Sequence, residues 1–495
     1  MERPKLNRLI TKSGSDNNNN KHTILLDTEN RSIFNNIFNE NLMVLKTFYL
    51  ITIVISLIAC QSEQEKTYQR MKSYTDSIKV VDTHEHHIAT LDSTHGRKHF
   101  FSHMFYFECD LRSAGWTGIN EESDVEASTG EIWDTAEEFY RYSRATSYHA
   151  QLVKGYQILY EFDKNSFSKE DVLELEKKVQ ENYQHSYREW FDSAFQRGNF
   201  EIMLVDQYWD QYDVNHETPY YALVFRIDEL VLNIADAAFD KTITDANLLK
   251  LLKSEPIPVS SLDDYIAIVD SALKLNVANN AVSIKNGLAY RRSIDFEYVS
   301  SEEANLLFDR QILSPEEQKK LQDYMFHWVI KKSIVYELPI QIHTGYLHGN
   351  SWADLENGHP MKLLPIILRY PDAKFVLFHG GYPWTSEFVA MGKHFHNVYL
   401  DLVWLPQISR TVAIRTLHEI LDCVPYNKIS WGGDVTTIEE SVGSLEIARE
   451  VIAKVLSERI EKGWLTDEVA YDIARRILRE NAMQLYHLNE KTILL

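Results

Sequence analysis

Eight short apolar runs, most of them followed by a helix-like segment, constrain the fold of this 495-residue chain more than any other feature. The runs span residues 80–87, 200–205, 222–227, 280–285, 338–342, 374–378, 398–402 and 428–431. Helical patterns such as residues 314–336, 361–370 and 411–421 separate many of them. Strands that alternate with helices are typical of parallel βα units, and eight such units suggest a closed barrel. We therefore predict an α/β fold, namely a (β/α)8 TIM barrel.

Two further helical regions are predicted around this barrel. Residues 88–195 are rich in aromatic side chains at helical spacing with charged neighbours, which indicates a helical insertion or lid after strand 1. Residues 439–488 also have a helical pattern, and we expect this C-terminal extension to pack on the outside of the barrel. The barrel domain as a whole is predicted to span residues 78–490.

The composition limits the kinds of partner that the protein can bind. Lys and Arg number 51, Asp and Glu number 72, and the formal net charge is −21. A strongly acidic chain does not offer the basic surface that sequence-independent nucleic-acid binding requires. Three cysteines do not make a disulfide framework. We expect a small-molecule substrate and no nucleic-acid partner, and we leave the oligomeric state open, with a homodimer as one option.

The first 60 residues change character at Met43. Residues 1–42 are polar and rich in Asn, which indicates a disordered segment or a start codon placed too far upstream. Residues 43–60 combine a charged start with a short apolar run, the pattern of a signal peptide. Residues 57–60 resemble the lipobox of bacterial lipoproteins, which implies that Cys60 is lipidated. An ordinary signal peptide or a single anchor helix is the alternative.

The lipobox resemblance also implies where the protein is located. Residues 61–77 would form a tether and a leading helix between the lipid and the barrel. The protein would be exported, as a periplasmic or outer-membrane-anchored bacterial lipoprotein. Its contact with the membrane would then be made only through the lipid anchor.

A histidine pair ends the first apolar run. His84 and His86 are two positions apart, and residues at this spacing on a strand point to the same face. Two imidazoles on one side of a strand end can offer two nitrogen ligands to a divalent metal. A polar turn that happens to be rich in histidine is the alternative, since a motif this short has a high false-positive rate.

Other residues of ligand type stand at the ends of later predicted strands. They are Lys285, His343, His379 and Asp434. The carboxyl ends of barrel strands form one face, which carries the chemistry, so residues far apart in the sequence should converge there. Polar groups that are buried together need partners, and a metal ion would provide one.

The order His-x-His, Lys, His, His, Asp resembles the amidohydrolase superfamily of metal-dependent barrels. Four local stretches resemble its FluG-type, amidohydrolase-related branch. They are Lys285 with residues 289–291, the FHGGYPW segment at 378–384, the WGGD segment at 431–434, and residues 481–486. The likeness covers about residues 78–490, apart from the insertion.

This resemblance implies a role for each ligand-type residue. His84 and His86 would bind the more buried metal, and Asp434 would bind it too and act as the general base. His343 and His379 would either hold a second metal or divide into one ligand and one catalytic residue.

Lys285 decides between one and two metal ions. In binuclear relatives the lysine at this position is carboxylated and bridges the ions, whereas in mononuclear relatives it stays an ammonium or is absent. We slightly favour the mononuclear form. Ligation by histidine and carboxylate suits Zn²⁺, as one or two ions, with Mn²⁺ or Fe²⁺ also possible.

The resemblance implies a metal-dependent hydrolase, in which metal-activated water attacks an amide, lactone or similar carbonyl bond of a small substrate. Asp434 would take the proton of the water and pass it to the leaving group, with His379 as the second catalytic candidate. A nonoxidative decarboxylase on the same barrel is one alternative, and detection of CO₂ would identify it. A lipoprotein that binds a ligand but has lost catalysis is another.

Three residues are candidates for substrate binding. Arg291 and Arg226 could bind a substrate carboxylate, because a guanidinium binds a carboxylate in a bidentate manner. The alternative for the arginines is a salt bridge with a barrel acid such as Asp206 or Asp228. Tyr382 is expected to shape the wall of the pocket.

Overall fold

The structure is a computed structural model that describes residues 63–91, 99–118, 127–185, 187–349 and 353–488, together with Met43, Lys46 and Tyr49. The predicted start at 1–42, most of the predicted signal peptide and Cys60 lie outside the described residues. The chain divides into two compact units, Met1–Lys66 and Thr67–Leu495, and the second contains the barrel. Within the described part of the chain, no helix has the length and apolar character needed to cross a membrane.

Eight parallel strands form the centre of the second unit. They are β1 (Val80–Glu85), β2 (Phe200–Val205), β3 (Tyr221–Arg226), β4 (Ser283–Asn286), β5 (Ile340–Ile342), β6 (Phe375–Leu377), β7 (Val398–Asp401) and β8 (Ile429–Ser430). Each strand pairs with the next one along the chain. The strands are almost completely buried, which explains why their sequences are continuous apolar runs rather than alternating ones.

The barrel closes where the end of the last strand meets the first strand. Thr83 N–H donates to the carbonyl oxygen of Trp431, and Asp434 N–H donates to that of His84. His86 N–H donates in turn to the carbonyl oxygen of Val435. These bonds join β1 to the segment after β8, so the prediction of a TIM barrel is confirmed.

Among the described residues of the connection between β1 and β2 are five α-helices. They are α1 (Phe107–Ser113), α2 (Thr129–Ser143), α3 (Ser147–Tyr160), α4 (Lys169–His185) and α5 (Tyr187–Gly198). This is the region in which the sequence predicts a helical insertion.

The later helices follow the barrel strands and end in the C-terminal extension. They are α6 (Asp228–Leu232), α7 (Ile234–Asp240), α8 (Ala246–Leu252), α9 (Leu262–Ala278), α10 (Ser301–Phe308), α11 (Pro315–Val335), α12 (Leu364–Arg369), α13 (Thr385–His394), α14 (Leu405–Ile408), α15 (Arg410–Cys423), α16 (Ile438–Glu461), α17 (Asp467–Arg475) and α18 (Asn481–Leu485). The start of α11 shows why the sequence could locate it. Ser314 and Glu317 form a capping box there, and Pro315 occupies the first turn.

The insertion packs against the first turns of α16. A Cβ atom at Gly155 in α3 would lie 2.5 Å from the carbonyl oxygen of Glu439, and one at Gly443 would lie 2.2 Å from that of Gln151. Only glycine permits this approach of the two helix backbones. The Gln151 amide also donates to Ser444 Oγ at 3.1 Å. The insertion is therefore fixed to the helix that follows β8.

Candidate metal centre

The ligand-type residues predicted at the strand ends all lie at one end of the barrel. His84 belongs to β1 and His86 follows its last residue, while Lys285 belongs to β4. The remaining three, His343, His379 and Asp434, stand in the segments directly after β5, β6 and β8.

The carboxylate of Asp434 lies at the centre of these residues. Its Oδ1 atom is 3.1 Å from Nε2 of His86 and 3.6 Å from Nε2 of His84. Its Oδ2 atom is 3.7 Å from Nδ1 of His379. Nε2 of His379 in turn lies 2.9 Å from Nδ1 of His343. Four histidines from three strand ends therefore form a continuous cluster around one carboxylate.

A second carboxylate, to which the sequence analysis gave no metal role, lies on the other side of the first histidine pair. Asp206 follows β2, and its Oδ2 atom is 3.7 Å from Nε2 of His84 and 3.9 Å from Nδ1 of His86. These three residues have ligand atoms that all lie within 4.8 Å of one another. Asp206 Oδ1 is buried and has no hydrogen-bond partner among the described residues. Its position directly after a strand was the signal available in the sequence.

A hydrogen bond at Nδ1 orients each ring of the first histidine pair, His84 and His86. His84 Nδ1 lies 3.1 Å from Oε1 of Gln341, whose amide donates to Tyr486 Oη. His86 Nδ1 lies 2.7 Å from the backbone oxygen of Asp206. These contacts occupy Nδ1 of both rings, so Nε2 of each remains for a metal, as is usual for histidine ligands.

Burial sets the charge of these groups. It lowers the pKa of His84 and His343 well below the ordinary value, and that of His379 to about 3. Burial alone would raise the pKa of Asp434, but the hydrogen bond from His86 and the neighbouring imidazoles outweigh it and place that pKa well below its usual range. Neutral imidazoles and an ionised carboxylate are the forms that bind a divalent ion.

Lys285 lies directly against the histidine pair. Its Nζ is 3.3 Å from Nε2 of His84 and 4.0 Å from the ring centroid of Phe378. Burial lowers the pKa of this ammonium to about 8, although the nearby carboxylates of Asp434 and Asp206 act in the opposite direction. Burial therefore brings Lys285 closer to deprotonation than an exposed lysine.

The backbone is strained at two of the ligand positions. His379 and Asp434 each have φ of 63°, in the left-handed region that residues other than glycine seldom adopt. Asp434 is kept there by the hydrogen bond of 2.7 Å from its N–H to the carbonyl oxygen of His84. The preceding Gly433 lies so close to β1 that a Cβ atom would be 2.4 Å from Oε1 of Glu85.

A cavity of about 350 Å³ opens over the cluster. Barrel residues form its floor, among them His86, Lys285 and Asp434, and the insertion contributes Phe105 and Tyr106 to its wall. The Tyr106 hydroxyl donates to the backbone oxygen of Asp434, and burial raises the pKa of this phenol well above its ordinary value. Tyr106 therefore reaches the centre as a protonated donor, a contact that the sequence did not reveal.

The arginine candidates have different surroundings. Arg226 lines the cavity, but its guanidinium lies 2.7 Å from Oδ2 of Asp206 and 2.8 Å from Oδ2 of Asp228, so the salt-bridge alternative is present in the structure. Arg291 also lines the cavity with a side chain that is 58% exposed, and its ion pair with Glu229 is long, at 3.6 Å. Tyr382 is not among the described residues that line this cavity.

Comparison with known proteins adds a family match and one curated relative. A family model described as Amidohydrolase matches residues 312–488, which include β5 to β8 and three of the predicted metal ligands, His343, His379 and Asp434. The protein fluG of Emericella nidulans is 27% identical to this chain over 274 residues. The match covers 49% of this chain and 31% of the fungal protein, so it spans about a third of that relative's length.

Three solved structures resemble the whole barrel. A uronate isomerase of Thermotoga maritima has a TM-score of 0.68 at 14% identity, covering 85% of this chain and 97% of its own. A glucuronate isomerase of Caulobacter crescentus has a TM-score of 0.65 at 13% identity, covering 86% and 95%. A Lactobacillus casei protein assigned as a metal-dependent hydrolase has a TM-score of 0.56 at 18% identity, covering 85% and 98%. At these identities the likeness concerns the fold alone.

Proposed function

Since this chain is a member of the amidohydrolase superfamily, in its FluG-type branch, we propose that it is a metal-dependent hydrolase of a small, carboxylate-bearing substrate. One observation carries the proposal. His84 and His86 precede Asp434 by some 350 positions in the chain. Nε2 of each histidine nevertheless lies 3.1 to 3.6 Å from Oδ1 of Asp434, at the floor of a cavity.

The donor set fits a divalent ion. The neutral imidazole of His84, the ring of His86 and the ionised carboxylate of Asp434 meet there, and the buried Oδ1 of Asp206 has no hydrogen-bond partner among the described residues. Such an ion would lower the pKa of a water molecule to about 7 and polarise a substrate carbonyl. We propose zinc, because a mixed nitrogen and oxygen donor set suits it, with manganese or iron as alternatives.

Three residues are our proposed ligands for this ion. The ligand atoms are Nε2 of His84, Nε2 of His86 and a carboxylate oxygen of Asp434. Among the described residues, the Lys or Arg side chain within hydrogen-bond distance of these atoms is Lys285, whose Nζ lies 3.3 Å from Nε2 of His84. Asp206 is an additional candidate, but its Oδ2 is already neutralised by Arg226 at 2.7 Å. We favour a single ion.

The cluster also contains the groups that would transfer the proton. Asp434 is ionised, so its free Oδ2 accepts the proton of the attacking water and returns it to the leaving group. His379 is our second catalytic candidate, because its Nδ1 lies 3.7 Å from this oxygen, and its Nε2 faces Nδ1 of His343 at 2.9 Å. Lys285 remains available to hydrogen-bond the substrate, or to bridge a second ion if it is carboxylated.

Arg291 is our candidate for orienting the substrate. Its guanidinium lines the cavity and forms only a long ion pair of 3.6 Å with Glu229 among the described residues, so it can bind a substrate carboxylate. Arg226 is engaged by two acids, and we assign it a structural role in holding Asp206.

The test is a substrate screen with the purified, zinc-loaded protein. N-acyl amino acids, dipeptides and lactones should give released amine or ring-opened acid, with turnover lost after removal of the metal. The same plates should contain unsaturated and aromatic acids with CO₂ detection, for the decarboxylase alternative, and a uronate, since two structures of similar fold are isomerases. Release of CO₂ or isomerisation without any hydrolysis would overturn the proposal.

We also propose that residues 43–60 direct export and that Cys60 carries a lipid. The support for this proposal is the sequence pattern alone, namely a charged start, an apolar run and the Leu-Ile-Ala-Cys ending.

A further inference from the structure

The insertion reaches the candidate metal centre through the side chain of Tyr106. Its hydroxyl donates a hydrogen bond of 2.5 Å to the backbone oxygen of Asp434. The residue is only 3% exposed, so water does not compete for this bond. Its ring stacks on Trp404, with centroids 4.6 Å apart, and on Tyr148 at 5.4 Å. The phenol therefore has a fixed direction before any ligand binds.

The backbone that carries Tyr106 is attached to the same helix that follows Asp434. The N–H of the neighbouring Phe105 donates to Oε1 of Glu440 at 3.0 Å. The second oxygen of Glu440 accepts from the Thr437 hydroxyl, also at 3.0 Å. The Tyr106 segment and the loop after β8 are thus connected to the first turn of α16 from both sides.

The rest of the insertion is attached to this turn through one buried carboxylate. Three donors of the insertion converge on Glu439, which is 2% exposed. They are Tyr160 Oη at 2.7 Å, Tyr183 Oη at 2.8 Å and Trp190 Nε1 at 2.9 Å. Because hydrogen bonds between buried groups are not weakened by water, the insertion is a fixed wall of the cavity.

Asp434 needs support from outside its own loop. Its φ of 63° is unfavourable for an aspartate, and its N–H is bonded to His84. The peptide that follows Asp434 is fixed at two points, because Val435 N–H donates to Oε2 of Glu85 at 2.6 Å and the Asp434 carbonyl accepts from the Tyr106 hydroxyl. The Tyr106 hydroxyl is the group that holds this carbonyl.

We propose that Tyr106 is a positioning residue of the metal centre, through which the insertion fixes the peptide of Asp434 and so directs its carboxylate at the β1 histidines. The insertion is then a required part of the centre and not a removable cover. This inference rests on the proposed function, because it takes Asp434 as a ligand. Groups that orient metal ligands typically contribute 10- to 100-fold to metal affinity.

The test compares three variants of the full-length protein with Co²⁺ as the probe. Tyr106→Phe keeps the ring and its stacking and removes only the donor. It should bind Co²⁺ about 10-fold or more weakly than the parent and show an altered visible absorption spectrum, while the melting temperature of the metal-free form falls no further than in Tyr160→Phe. Tyr148→Phe alters the stacked neighbour without touching Asp434, and Tyr160→Phe removes one donor to Glu439 without touching Asp434. Both should retain the Co²⁺ affinity and spectrum of the parent.

The outcomes separate this inference from the proposed function. Parent-like Co²⁺ affinity and spectrum in Tyr106→Phe would overturn the positioning role, while the hydrolase proposal would stand. An equal loss in Tyr160→Phe would also overturn it, since a general loosening of the insertion would then explain the effect. A parent protein that binds no Co²⁺ would overturn both.

Discussion

Asp434 is the residue with the most demanding position in the molecule. Its carboxylate faces His84 and His86 with one oxygen and His379 with the other, and its backbone adopts a left-handed conformation. Such strain persists in a folded protein only where surrounding contacts fix it, and it is typical of functional sites. The low pKa of Asp434 is a further consequence, since the nearby imidazoles favour its charged form.

Asp434→Asn should therefore remove metal binding without unfolding the barrel. The amide keeps the size of the side chain but loses the charge, so we expect the affinity for Zn²⁺ to fall by at least about 100-fold. Calorimetric titration and metal analysis of the purified variant measure this. Glu229→Gln is the matched control, because Glu229 lines the same cavity but has no contact with the histidine cluster among the described residues. Full retention of Zn²⁺ by Asp434→Asn would show that the assignment of this ligand is wrong.

A buried histidine outside the metal centre predicts how stability depends on pH. His149 in α3 is 3% exposed, and Nε2 of its ring faces Tyr140 Oη at 2.9 Å. Burial lowers its pKa to about 4, and the charge of Arg144 acts in the same direction. Since an unfolded histidine titrates near 6.5, the unfolded chain binds more protons between pH 6.5 and 4. The free energy of unfolding should decrease as the pH falls through this window.

The measurement is urea unfolding of the metal-free protein at several pH values from 7.5 to 4.5. His149 should contribute at most about 3 kcal/mol to the fall over its full window, at about 1.4 kcal/mol per pH unit. His149→Gln should show a smaller slope than the parent. His394→Gln changes an exposed histidine of α13 and should leave the slope unchanged. If His149→Gln and the parent have the same slope, His149 is not kept neutral by the fold.

The residues of the site differ in how far the sequence could predict them. We predicted His84, His343 and Asp434 because each stands at the end of an apolar run. Residues at the carboxyl ends of barrel strands meet at one face of the barrel. Asp206 also follows an apolar run, but its sequence context does not distinguish a metal ligand from a salt-bridge partner of Arg226, and its carboxylate lies near both the histidine pair and Arg226. Tyr106 could not be found at all, because its contact depends on how the insertion packs.

Among the elements, the positions of the strands were predicted more accurately than the residues at which the strands begin and end. β2 is observed with its predicted bounds, whereas β4 was predicted to begin at residue 280 and begins at Ser283. Apolar periodicity indicates where a strand lies, but the hydrogen-bond partner on the next strand decides where it stops. The insertion was predicted to be helical from its apolar periodicity. Its attachment to α16 could not be predicted in this way, because it depends on contacts between segments hundreds of residues apart.

The buried carboxylate of Glu439 should be the main attachment of the insertion. Glu439→Gln replaces one of the two acceptor oxygens by an NH₂ group, which leaves at least one of the donors from Tyr160, Tyr183 and Trp190 unsatisfied. We expect a loss of about 2 kcal/mol or more in the free energy of unfolding. Cleavage within the insertion by a protease under native conditions should also become faster.

Glu450→Gln is the matched control on the same helix. Glu450 forms a partly exposed ion pair with Lys154 of the insertion at 2.6 Å, and pairs of this kind contribute about 1 kcal/mol or less. A loss in Glu439→Gln no larger than in Glu450→Gln would contradict the view that one buried carboxylate attaches the insertion.

At the scale of the whole molecule, the barrel, the insertion and the C-terminal helices belong to one compact unit. The first histidine pair comes from near the start of this unit and Asp434 from the segment after its last strand, so the proposed metal centre needs both ends of the closed barrel. The insertion, between β1 and β2, supplies one wall of the cavity. Folding and assembly of the site are therefore the same event, which explains why no short segment of the chain contains it.

The proposed lipid anchor concerns the whole protein and makes a separate prediction. In a bacterial host, cells fed a radioactive or clickable palmitate should label the parent protein, and Cys60→Ser should not be labelled. Cys109→Ser is the control, since Cys109 belongs to α1 of the barrel unit. A palmitate label that persists in Cys60→Ser would contradict the lipoprotein proposal and leave the barrel assignments unaffected.

The central claim is that side chains from distant parts of the chain meet around one divalent ion. A crystal structure of the zinc-loaded protein, with anomalous diffraction collected on both sides of the zinc absorption edge, tests it most directly. We predict an anomalous peak about 2.0–2.2 Å from Nε2 of His84, Nε2 of His86 and a carboxylate oxygen of Asp434. A peak bound by other residues, or a fully folded barrel without any peak at this position in the presence of excess zinc, would contradict the account.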